Sequence, residues 1–460
     1  WSAAPPAGPL SGVMVSSLFQ GGQPAASADP WSAVPGAVHP VSLADQVAQS
    51  RLHPAELTAE EMMALLPDLP RLRRDDPRPR LLAKIVAQCA SVHNTATALL
   101  ASGEPWDCAM IFYETIDVAG HHFMQYYPPR MEHVPEPDFA SYSQVMPRVY
   151  ELQDAMLGTL LELAGPGTTV MLLSDHGFHS DHLRPRVQAA LDDPHAAMDA
   201  RWHRPLGVLV LSGPGIKQGA EVHGANLLDI APTALALLGL PIGGDMDGRV
   251  LVESFDRPVE VERNFGWDTI EGEAGQHPAD LRVDPFEARD AMKQLADLGY
   301  VSELSGDAKA QMELCDRETR FNLGVVYMTT GRQRKAAEIF EGLHREQPDE
   351  PRFAMNLAHC HYITGRPAET VAVLERLIAR FPDNPDIQLL SGAALFAQGK
   401  VEQAAAALEA AALQSPNRPD LLCSMADAYT RLKRWEEAEA ALARAGTIDP
   451  HNPEVHHKRA

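Results

Sequence analysis

The sequence predicts an α/β domain, a parallel sheet between helical layers, followed by an all-α repeat solenoid. Three observations carry this. Short apolar runs at Cys108–Tyr113, Thr169–Leu173 and Leu206–Leu211 end in polar or glycine-rich turns, and helical patterns separate the first two. Polar, chemistry-bearing residues follow the runs, as expected of a site outside the strand ends of an open sheet. Beyond residue 317, glycine and proline recur at a spacing of 34.

Taken in order, residues 1–40 are rich in Pro, Gly, Ala and Ser, with one strand-like run at 13–16. Residues 81–101 place Leu82, Ile85, Val86, Cys89, Val92, Ala96, Leu99 and Leu100 at helical spacing. A second helical pattern covers 139–163. Asp229 opens a helix that stops at Gly239. The pattern then turns polar, and a further helix is expected at 286–298. The expected division is 1–255 for the α/β domain, 256–310 for a linker with a bridging helix, and 311–453 for four repeats.

In the repeats, Gly331, Gly365 and Gly399 are spaced by 34, with Lys433 in the fourth slot; Pro348, Pro382, Pro416 and Pro450 keep the same spacing. Leu323, Gly324, Tyr327, Ala336 and Phe340 stand where a tetratricopeptide repeat needs them, and Ala426, Tyr429, Ala438 and Leu442 match in the last unit. The array resembles tetratricopeptide repeats, which implies a protein or peptide partner. Burial is expected for Leu323, Tyr327, Ala336, Phe340, Tyr429 and Leu442.

Composition narrows the function. A formal net charge of −23 argues against a nucleic-acid surface, which needs clustered Lys and Arg. The five cysteines contain no C-x-x-C pair and read as small buried hydrophobes. No run of 18 apolar residues is present, so the chain reads as soluble, without a membrane span; its compartment is left open.

Three constellations carry chemistry. Asp117 and His121 stand four apart, so a carboxylate and an imidazole share one helix face. Ser174-Asp175-His176-Gly177 follows an apolar run, and Gly177 permits the bend that lets both side chains face one site. His223-Gly224 follows the Gly213-Pro214-Gly215-Ile216 turn and precedes the Asp229 helix. His203 and Arg204, before the third run, are candidates to approach a phosphate. His122 is expected to point away from His121, and His179 and His182 are read as surface residues, with a supporting place behind the metal ligands as the alternative.

In this order, Asp-x-x-x-His, Ser-Asp-His-Gly, Gly-Pro-Gly-Ile, His-Gly and Asp-Ile-Ala-Pro-Thr resemble the alkaline phosphatase superfamily, in particular its type I phosphodiesterase and nucleotide pyrophosphatase branch. The resemblance implies two divalent cations, zinc or alternatively manganese, and hydrolysis of a phosphorylated small-molecule substrate, a monoester or a diester. It assigns Asp117, His121 and His223 to one metal, and Asp175 and His176 to the other. The nucleophilic Thr or Ser and an earlier Asp have no match before Asp117, and Ser11–Ser16 is similar to a segment that follows the nucleophile in the family. A chain lacking the N-terminal part of the domain, and with it the nucleophile, is therefore expected. The alternatives are a degenerate domain serving as a repeat-bearing scaffold, or another superfamily class such as a sulfatase or a phosphoglycerate mutase.

Overall fold

The computed structural model describes residues 11–31, 36–181, 184–185, 202–204, 206–264, 266, 308–450 and 452–459, with backbone alone at 17, 264 and 308–316. The helix expected at 286–298, most of the 256–310 linker, and His182 lie outside the described residues. The chain divides into two compact units, Trp1–Met312 and Glu313–Ala460.

The first unit is mostly helical. Its helices are α1 Ala44–Gln49, α2 Ala59–Leu65, α3 Arg78–Leu100, α4 Thr115–Phe123, α5 Glu136–Tyr142, α6 Val145–Ala164 and α7 Ile230–Leu237. Its strands are β1 Met14–Val15, β2 Val38–His39, β3 Val170–Ser174, β4 Gly177–Phe178, β5 His203–Arg204, β6 Val208–Ser212, β7 Ile242–Gly243 and β8 Arg263–Asn264. In α3 the expected apolar stripe is buried at Leu82, Ile85, Val86 and Cys89. At its start, Arg78 donates to the carboxylates of Asp76 and Asp138 and to the Tyr126 hydroxyl, tying α3 to α5. In α4, Thr115, Ala119 and Phe123 are buried at four-residue intervals, on the side that packs against α3 and α6. Phe123, Tyr142, Val145, Met146, Val149, Leu82 and Trp202 form the centre of this core. Each buried large side chain contributes roughly 2 kcal/mol. The packing fixes the α4 backbone and therefore its polar face.

The strand expectations need correction. Two of the three apolar runs form strands, β3 and β6, but they pair antiparallel, with Val170 opposite Ser212 and Ser174 opposite Val208. Residues 108–113 have no strand assignment. Among the described residues every sheet has two strands, and β7–β8 is the parallel pair. The runs are also not fully buried: Met110, Phe112, Leu172, Leu173, Val208 and Val210 are exposed. A local apolar run marks extended backbone; strand direction and coverage depend on distant partners. Cys89, Cys360 and Cys423 are buried as expected, whereas Cys108 is exposed.

The Asp229 turn is more elaborate than a simple cap. Asn226 caps the 227–229 turn, and the buried Asp229 carboxylate closes the capping box on the Asn226 backbone N–H. The same carboxylate accepts from the Arg249 backbone N–H at 2.8 Å, so it anchors the following loop as well.

The second unit consists of helical hairpins: Ala308–Thr329 with Gln333–Glu346, Pro351–Ile363 with Pro367–Arg380, Pro385–Ala397 with Val401–Gln414, and Pro419–Arg431 with Trp435–Ile448, then the short helix Pro453–Arg459. The second helices end two residues before Pro348, Pro382, Pro416 and Pro450. Between the helices of each hairpin, Gly331, Gly365 and Gly399 have φ of 81°, 75° and 78°, and Lys433 takes the same left-handed conformation at 61°. Ala336, Phe340, Tyr429 and Leu442 are buried. Tyr327 is partly buried against the first cluster, and Leu323 is 36% exposed. No described repeat precedes the first hairpin to cover Leu323. Ion pairs join successive units, with Arg352 on Glu318 and Arg418 on Asp386.

Candidate metal centre

Helix α4 presents Asp117 and His121 one turn apart. The turn after β3 brings His176 beside them, and β4 pairs antiparallel with β5 so that Phe178 lies opposite His203. His203 is thereby delivered to the same point. Asp117 Oδ1 stands 3.4 Å from His203 Nε2, 3.5 Å from His176 Nε2 and 3.7 Å from His121 Nε2. The Nε2 atoms of His121 and His203 are 2.9 Å apart, close enough for one nitrogen to donate its proton to the other. The His176 and His203 rings stack at 3.7 Å.

Phe178 supports the cluster, with its ring edge-on to both His121 and His203, at 5.2 Å in each case. Its seat depends on Gly120, where an added Cβ would lie 2.9 Å from the Phe178 ring. Sequence reasoning missed this pair, although Gly120 inside a helix was the available sign.

The electrostatics favour a cation. His121 is buried and Asp117 largely so, and Asp117 Oδ1 is enclosed without a hydrogen bond of ordinary geometry. Burial pushes the Asp117 carboxyl up, but the approach of His203 and the positive potential of the three rings outweigh this and hold it below its ordinary value. His122 is pushed down to about 4, first by burial and then by His121, so it is neutral at neutral pH.

A metal fits these residues. Asp117, His121 and His203 form a group whose donor atoms all lie within 4.8 Å of one another. Ligands on a tetrahedral zinc, at ~2.0–2.1 Å from the metal, stand ~3.3 Å apart, near the carboxylate–imidazole separations here. The nitrogen and oxygen donors suit zinc, and also manganese.

The other residues singled out by sequence lie less centrally. Asp175 is exposed, with Oδ1 3.8 Å from His176 Nε2. His223 is not in the group: its side chain is 85% exposed and faces Glu221 at 3.5 Å. Arg204 is engaged by Asp181 and also approaches His179. His203 thus occupies the place beside Asp117 and His121 that the resemblance implies for His223.

Comparison with known proteins agrees with the motif order. Residues 7–227 match the family of type I phosphodiesterases and nucleotide pyrophosphatases, and residues 327–394 and 395–460 match the tetratricopeptide repeat. Among curated relatives, the 2,3-bisphosphoglycerate-independent phosphoglycerate mutase of Paracoccus denitrificans is 32% identical over 120 residues, 25% of this chain and 22% of that protein. The same enzyme of Synechocystis is 34% identical over 122 residues, 25% of this chain and 21% of that protein. The chain thus spans about a fifth of the length of these relatives. Among solved structures, the tetratricopeptide protein TTC0263 of Thermus thermophilus is 24% identical, covering 31% of this chain and 78% of that one, with a TM-score of 0.29. YrrB, described as a tetratricopeptide protein with an unusual peptide-binding site, is 17% identical, covering 38% and 92%, with a TM-score of 0.31. No described helix is long and apolar enough to cross a membrane.

Proposed function

From a chain that joins a type I phosphodiesterase/nucleotide pyrophosphatase domain to tetratricopeptide repeats, we propose a metal-dependent enzyme that hydrolyses phosphate monoesters or diesters and binds a protein partner through its repeats. One observation supports this reading above the others: the enclosed Asp117 oxygen, without a hydrogen bond, faces three imidazole nitrogens.

Asp117, His121 and His203 would hold the cation, with His176 and the exposed Asp175 beside it. A bound divalent cation supplies Lewis-acid polarisation of a phosphoryl oxygen and neutralises charge on the reacting group. The chain's own residues do the rest. Asp117 keeps its charge through the surrounding rings, and the stacked His176 and His203 stay in register through the β4–β5 pairing. Arg204 can meet a substrate phosphate by exchanging Asp181 for it. None of the gathered residues is a serine or threonine, so attack falls to water or to a hydroxyl outside the cluster, and slow turnover is expected.

A second reading, phosphoryl transfer to another hydroxyl, is favoured by the phosphoglycerate mutase relatives. Incubation with zinc or manganese separates the two. Hydrolysis predicts slow, metal-dependent release of p-nitrophenol from p-nitrophenyl phosphate or its bis-ester, lost in Asp117→Asn. Release that is unaffected by chelation would overturn the proposal, and conversion of 3-phosphoglycerate to 2-phosphoglycerate would establish the second reading.

A further inference from the structure

The repeat unit carries a cavity of about 410 Å³ lined by Glu341, His344, Arg345, Pro348, Leu357 and Arg376. Glu341, His344 and Arg345 come from the second helix of the first hairpin, Gln333–Glu346, and Pro348 follows it. Leu357 and Arg376 belong to the next hairpin, so the cavity lies across a repeat junction.

Several arginines of the array are held by carboxylates of this chain. Arg320, Arg352, Arg418 and Arg434 each hold a carboxylate of this chain. Arg345 and Arg376 have no ion pair among the described residues and face a cavity with one carboxylate, that of Glu341. His344 adds an enclosed Nδ1 without a hydrogen-bond partner. Burial, and then Arg376, push the His344 imidazole below its ordinary pKa, so it stays neutral and one ring nitrogen carries a donatable proton. Leu357 and Pro348 give the cavity an apolar wall. Two free guanidiniums, an unsatisfied imidazole nitrogen and an apolar wall together match a carboxylate flanked by an apolar residue, because guanidinium forks pair bidentately with carboxylates.

We propose that this junction binds an acidic peptide segment of a partner protein, with an Asp or Glu carboxylate between Arg345 and Arg376 and a neighbouring apolar side chain against Leu357. The inference rests on the repeats being a partner-binding module and names the chemistry and place of one contact.

The test uses the full chain and a panel of fluorescein-labelled hexapeptides that alternate Glu and Leu, with Gln-for-Glu and Lys-for-Glu versions, read by fluorescence anisotropy. The Glu peptides should bind at least ~10-fold more tightly than the Gln versions, a difference of ~1.4 kcal/mol. Arg345→Ala and Arg376→Ala should each remove most of that preference with helical content unchanged, whereas Arg444→Ala, elsewhere in the array, should not. Equal binding of Glu and Gln peptides, or an intact preference in both cavity variants, overturns the site while leaving the repeats as a binding module. Displacement of the peptides by inorganic phosphate at equal or lower concentration makes it a phosphate site instead. Failure of every peptide to bind overturns this site, and leaves the partner-binding reading, which rests on the repeat match, to a partner of other chemistry.

Discussion

At Gly120 the ring of Phe178 occupies the space a side chain would need, and the same ring backs His121 and His203. Gly120→Ala should therefore push that ring toward the histidines. The expected outcome is a loss of metal affinity of roughly 10-fold with little change in helical content, since supports behind ligands typically contribute 10–100-fold; titration calorimetry with zinc measures it. Unchanged affinity would show that Phe178 does not position the histidines. Asp117 and His121 were legible in sequence because a four-residue spacing on a helix is local information. His203 stood out only as a neighbour of a strand, since its place beside Asp117 comes from the β4–β5 pairing, 82 residues along the chain from His121. His223 had the stronger sequence context, yet its side chain is exposed.

The repeat elements show what register alone can reveal. A spacing of 34 marked the turns, and the structure places a left-handed residue in each, at Gly331, Gly365, Gly399 and Lys433. Lysine pays a steric penalty in that conformation that glycine does not. Lys433→Gly should stabilise the array by up to about 1 kcal/mol, or ~2–4 °C in Tm, and thermal melting followed by circular dichroism would reveal it. A lowered Tm would mean that the Lys433 side chain contributes more than its backbone strain costs. The strands were legible only in part. Apolar runs located β3 and β6, but their antiparallel pairing and exposed faces follow from partners that no local pattern names. The 108–113 run, with Met110 and Phe112 exposed, carries an apolar pattern but no strand assignment.

At the scale of the molecule, the chain consists of two compact units, the second built from hairpins whose apolar faces are covered by their neighbours. Residues 311–460 alone should give a cooperative helical melt, and their removal should leave zinc affinity within about twofold, as expected when two units carry separate cores. Loss of metal binding on removal would make the repeats part of the metal-holding fold. The central claim concerns a divalent cation between Asp117 and its histidines, and zinc titration of the full chain and its single variants tests it most directly. The account predicts saturable zinc binding that falls at least ~100-fold in Asp117→Ala and His121→Ala, falls markedly in His203→Ala, and changes little in His223→Ala. Zinc binding of the same strength in Asp117→Ala would contradict the account, whereas a loss in His223→Ala with His203→Ala unaffected would return the third ligand to the residue implied by the family resemblance.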